Sequence, residues 1–147
     1  MRVSLFRVNG IKVLADRMAF DLTIPEERFR TTTPRIAARA AALRPNLPIH
    51  ACVNSKGRTF AAVMGRTPMP HLLEHCIIDF LVEAAEDDRA SYQGTSRWID
   101  QAAGRALVQV SMKDDLALLR AFKRAVCFLE EEVMADEAGP DRQRTRP

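Results

Sequence analysis

Residues 91–112, "SYQGTSRWIDQAAGRALVQVSM", decide the architecture. "SYQGTSRWI" and "RALVQVSM" read as two strands, and "DQAAG" between them supplies the connection, so the stretch is predicted to be a β-hairpin. Just before it, "TPMPHLLEHCIIDFLVEAAEDD" (67–88) opens with Thr67-Pro68 and is predicted to be helical from about Pro70 to Glu86.

The same order occurs earlier in the chain. "TPRIAARAAALRPN" (33–46) has Thr33 as a cap, Pro34 in the first turn, and an apolar stripe of Ile36, Ala37, Ala40, Ala41 and Leu43. "IHACVN" (49–54) and "RTFAAVMG" (58–65), joined by "SKG", then read as another hairpin. Two helix-plus-β-hairpin units suggest a pseudo-repeat with slight residue identity. Ahead of them, "RVSLFRV" (2–8) and "MAFDLTI" (18–24) read as strands. After them, a helix is predicted over 113–134, with Asp114 and Asp115 at its favourable end and Leu116, Leu119, Phe122, Val126 and Leu129 on one face.

The expected fold is α+β and two-layered, a mainly antiparallel sheet of about six strands with three helices on one face. Residues 1–134 are expected to form a single domain. "DEAGPDRQRTRP" (136–147) has too little apolar content to pack, so residues 135–147 are expected to be a disordered tail.

The chain of 147 residues, 47% hydrophobic and 28% charged, fits one compact core. No apolar run reaches the roughly 18 residues of a membrane span. Charges interrupt the apolar start "MRVSLFRVNG", unlike a secretory signal. Three cysteines, an odd number without CxxC spacing, fit a reduced cytoplasmic protein. The net charge of +3 is uneven: residues 1–66 carry 12 Lys/Arg against 4 Asp/Glu, and residues 67–147 carry 10 against 15. A basic half can attract an acidic ligand or nucleic acid. Few aromatics and no continuous basic run favour neutralisation between the halves, within the fold or across a dimer.

The chemistry concentrates in the second helix. His71 and His75, at i and i+4, lie one turn apart on one face and can turn both rings toward one ion. Neutral imidazole is a good zinc ligand. Glu74, beside the pair, can reach a water activated by the ion and act as its base. H-x-x-E-H is the order of the inverted zinc peptidases. The bland reading is that these residues are only the polar stripe of a surface helix. A third ligand is left open: Asp79 lies too far along the same helix, and His50 and Cys52 share a strand face that could approach. Glu130, Glu131 and Glu132 read as solvated, and Cys76 as a packing thiol.

From Thr67 to Arg105 the chain resembles part of the N-terminal domain of cyanophycin synthetases. Thr67, His71, Glu74 and His75 match its Thr-x-x-x-His-x-x-Glu-His segment, and Arg89, Tyr92, Trp98, Asp100, Ala103, Gly104 and Arg105 follow at similar spacing. The likeness covers roughly 40 residues well, and elsewhere only the element order. It departs at Arg97, where the family strand often carries a glutamate. The resemblance implies a metallopeptidase-like site, which in some such synthetases cuts a polymer of aspartates bearing arginines. The ligase domains that make this polymer have no counterpart in these 147 residues.

The leading expectation is a zinc-dependent hydrolase of peptide or amide bonds. His71 and His75 would be its ligands, Glu74 its base, and Arg89 and Arg105 a clamp for a substrate carboxylate. For Arg105 the competing reading is that it braces the hairpin corner. The expected partner is a peptide or amino-acid polymer rather than membrane or nucleic acid. The alternative is an inactive binding or assembly module of the same fold, acting as a homodimer or beside a larger ligase. A third reading, an acidic-ligand or nucleic-acid binder, rests on the basic first half alone.

Overall fold

The computed structural model describes residues 4–52, 54–86 and 91–138. Four strands, β1 (Arg7–Val13), β2 (Arg17–Thr23), β3 (Gly94–Asp100) and β4 (Arg105–Ser111), form one antiparallel sheet in the order β1-β2-β4-β3. Three α-helices, α1 (Pro34–Leu43), α2 (Met69–Ala84) and α3 (Asp115–Cys127), complete the α+β architecture. The hairpin predicted over 91–112 forms as β3 and β4. Gly104 adopts a φ of +73°, which a residue without a Cβ tolerates best, and this turns the chain into β4.

Pleating sends alternate residues to opposite faces. Met18, Phe20 and Leu22 of β2 and Ala106, Val108 and Val110 of β4 therefore make a buried apolar face. The ring of Phe122 from α3 stacks on Phe20, centroids 4.1 Å apart. Thr33 caps α1 by accepting from the Ile36 amide, and Asp114 caps α3 by accepting from Leu116 and Ala117. Most of α2 is buried, including Glu74, His75 and Asp79. Polar groups inside a core need partners, so α2 is the helix on which polar contacts converge.

Several expectations are corrected. The sheet has four strands among the described residues, where about six were expected, and the 49–65 hairpin does not form. A single bridge joins Ala51 to Thr59, and short 3-10 turns cover Leu47–Ile49 and Phe60–Ala62. Two backbone bonds flank that bridge, Cys52 N–H to Arg58 and Phe60 N–H to His50, and toward the turn the Asn54 side chain takes over: it accepts from the Lys56 and Gly57 amides and donates to the Cys52 and Thr59 carbonyls. The predicted repeat of helix-plus-hairpin units is therefore absent from the first half. The two Thr-Pro openings nonetheless meet, through a Thr31–Pro68 bridge and a Thr67 amide bonded to Thr32 Oγ1.

Among the described residues the first strand begins at Arg7; of the expected 2–8 strand, residues 2 and 3 lie outside them. Leu5 and Phe6 are both buried, which strand alternation forbids on a half-exposed sheet, and their amides donate to the Glu130 carboxylate. Glu130 is accordingly buried and not solvated. In α3 the core face runs through Leu118, Ala121, Phe122 and Ala125, while Leu116 is 60% exposed. The helix continues as a π-helical segment, Phe128–Val133, that turns Phe128, Leu129 and Glu130 inward. Ala135–Ala138, the start of the predicted tail, is a 3-10 turn tied by Asp136 to Arg39 and by Glu137 to Arg35. Residues 139–147 lie outside the described residues. Among the described residues, no helix is long and apolar enough to cross a membrane.

Candidate metal centre

The first turns of α2 present His71, Glu74 and His75 toward one cavity of about 760 Å³. Its opposite wall is Tyr92, Gln93, Gly94, Thr95 and Ser96, at the start of β3, and Cys52 closes one side. The segment that was expected to be a hairpin instead brings its polar residues to α2. Cys52 Sγ lies 3.5 Å from His71 Nε2, and His50 bonds both His75 and Asp79.

One ligand atom each from Cys52, His71 and His75 lie within 4.8 Å of one another, close enough to hold a metal ion. Ligand atoms around a tetrahedral zinc stand about 3.3–3.6 Å apart, given bonds of roughly 2.0–2.3 Å, so the cluster needs little closure. The donor types also fit. A thiolate with two imidazoles suits a borderline-soft ion, and three protein ligands leave a fourth position open.

Surrounding contacts hold both rings. His71 Nδ1 is 2.9 Å from Thr67 Oγ1, and the Phe60 ring stacks on His75 at 4.0 Å while meeting His71 edge-on. His75 Nδ1 is 3.1 Å from His50 Nδ1. Burial lowers the pKa of His71. Burial, with repulsion from His71 and His50, takes His75 down to about 3. Both rings are therefore neutral near pH 7, the form that ligates metals.

Glu74 is buried between α2 and β3. Burial pushes its carboxyl up to about 7, against a hydrogen bond from the Ser96 side chain that lowers it. Room for it exists because residue 94 is glycine: a Cβ there would stand 2.7 Å from Glu74 Cγ and 3.0 Å from Oε2.

The other predicted residues are distributed differently. Arg105 is not among the cavity-lining residues. Its Nε and Nη2 grip Asp21 at 3.0 and 2.6 Å, bracing β4 against β2. Arg89 lies outside the described residues. Arg97 is exposed, alternating with the partly buried Ser96 and Trp98, so its side chain is on the sheet face away from Glu74. Cys76 is a buried thiol whose pKa is raised by burial. The sequence left Cys52 as one of several candidates for the third ligand, grouped Thr67 with the motif only through the family resemblance, and missed Gly94 and Ser96 as its neighbours. It also missed Arg44, which holds Asp79 from the end of α1. No family model matches the chain, and no curated protein matches it.

Proposed function

We propose that this protein is a zinc-dependent hydrolase of peptide or amide bonds, with Cys52, His71 and His75 as its metal ligands. The observation that carries this reading is that the three-donor cluster and the Glu74 carboxylate border the same open cavity. Zinc in such a site supplies Lewis acidity to a substrate carbonyl and to water. Glu74 supplies the base: its carboxylate takes the proton of the attacking water and returns it to the departing amine. Thr67 and Phe60 orient His71 and His75, and Ser96 orients Glu74. A purely structural metal site has no use for a carboxylate beside its open position, which favours catalysis over the binding-module alternative.

For substrate, the resemblance to the cyanophycin synthetase N-terminal domain favours a chain of aspartates bearing arginines. Purified protein is expected to contain near one zinc per chain, and Cys52→Ala or His71→Ala to lose it. Glu74→Gln is expected to keep zinc and lose cleavage of an Asp-Arg polymer or of a mixed peptide pool. A wild-type protein that holds zinc but cleaves neither would support the assembly module, and one that binds no zinc would overturn the metal site.

A further inference from the structure

We propose that the outer edge of β3 is the substrate ledge of this site, and that its ligand is a peptide in extended conformation, paired with the backbone of Gly94 and Ser96. The inference rests on the hydrolase reading above and gives it a binding mode.

The register assigns which backbone groups are free. The Ser111 amide donates to the Gln93 carbonyl, so Gln93 and Ser111 face one another through hydrogen bonds. With Gly94 opposite Val110 and Thr95 opposite Gln109, the bonded residues of β3 are the odd-numbered ones. The amides and carbonyls of Gly94 and Ser96 therefore point away from β4. Because β3 is last in the sheet order, they point outward from the sheet, and among the described residues no backbone group pairs with them.

An unpaired strand edge is a template for another strand. This one is placed beside chemistry, since Gly94, Thr95 and Ser96 form one wall of the cavity whose other wall carries His71, Glu74 and His75. The cavity of about 760 Å³ is in the size range of sites that enclose a ligand of several residues' bulk. Gly94 keeps this wall low against Glu74. The irregularity between Trp98 and Asp100 ends the regular edge, so the ledge is short. Outward groups on Gly94 and Ser96 recur about every 6.8 Å, the two-residue repeat of an extended chain. A ligand bound this way is recognised through its amides, with side chains free to vary, and its scissile bond is drawn past Glu74.

The test uses the full-length, zinc-loaded protein with acetyl-trialanine hydroxamate and acetohydroxamate as probes, since both carry the same metal-binding group. The peptide probe is expected to bind about thirtyfold more tightly, as two hydrogen bonds of ordinary net strength would give. N-methylation of its amides is expected to erase that gain. Hydrogen exchange at the Gly94 and Ser96 amides is expected to slow with the peptide probe and not with acetohydroxamate. Equal affinity for the two probes, or a gain in affinity with Gly94 and Ser96 exchange unchanged, overturns the ledge and leaves the metal site standing. Failure to take up zinc is a separate result that removes the hydrolase reading and this one with it.

Discussion

The Nδ1 atoms of His50 and His75 lie 3.1 Å apart, so one ring must donate to the other. The direction follows from the far side of His50. Arg44 Nε donates to Asp79 Oδ2 at 2.7 Å, and Asp79 Oδ1 is 3.1 Å from His50 Nε2, which must donate because a carboxylate only accepts. When His50 carries a single ring proton, held on Nε2 by Asp79, it accepts at Nδ1, His75 donates from its own Nδ1, and His75 Nε2 keeps a lone pair for a metal. Four residues thus set one tautomer. His50→Ala is expected to weaken zinc binding by about 10–100-fold while the cluster of Cys52, His71 and His75 remains intact. Competition with a chelator of known affinity measures this, and an unchanged zinc affinity would remove His50 from the support of the site.

Gly94→Ala isolates the position of Glu74. The added Cβ would meet Glu74 Cγ at 2.7 Å, so the carboxylate must move while the metal donors need not. Hydrolysis is expected to fall by about 100-fold, as for a catalytic group displaced by roughly 1 Å, with zinc content unchanged. Metal analysis beside a rate measurement separates the two effects. Loss of zinc in this variant would mean that β3 supports the ligands themselves.

The Asp79 contacts predict an acid limb in stability. Burial raises the Asp79 carboxyl, but hydrogen bonds from His50 and Arg44 and the charge on Arg44 outweigh it, so its pKa lies below the ordinary 3.8. A carboxyl depressed by folding contributes stability that is complete above its unfolded pKa and is lost as pH falls through the lower folded value. Asp79→Asn is expected to lower the melting temperature near neutral pH and to lessen its decline below about pH 4. Thermal melts of both proteins from pH 7 to 2.5 read this directly; parallel curves would contradict it.

Glu130 anchors the start of the chain to the end of the helical layer by accepting from the Leu5 and Phe6 amides at 2.8 and 3.1 Å. Glu130→Ala leaves two amides without this acceptor and is expected to cost roughly 2–4 kcal/mol in denaturant unfolding. Glu130→Gln keeps an acceptor oxygen and is expected to cost less. Zinc affinity should change in neither variant, because Glu130 is not among the candidate metal-donor residues.

Local signals made α1, α2, β2 and the β3–β4 hairpin legible. Caps, prolines and apolar periodicity act within a few residues, and these elements obey them. The spacing of His71 and His75 is equally local, since one helical turn places i and i+4 on one face whatever surrounds them. The 49–65 segment escaped because its strand-like composition competes with contacts no periodicity records: Asn54 takes the backbone groups near the turn, and α2 takes the His50 and Cys52 side chains. The core face of α3 was legible in part: Phe122 and Leu129 are buried as expected, while Leu116 is exposed and Leu118, Ala121 and Ala125 turn inward, a rotation set by where Phe122 stacks on Phe20.

From sequence alone, then, came the helix that carries two imidazoles and a carboxylate on neighbouring positions, because backbone geometry dictates side-chain direction over one turn. Tertiary structure alone decided that Cys52 joins them, that His50 bonds His75, and that Gly94 makes space for Glu74. These contacts span 19 to 25 residues of chain, and are fixed by how buried polar groups on α2 find partners once the core closes around them.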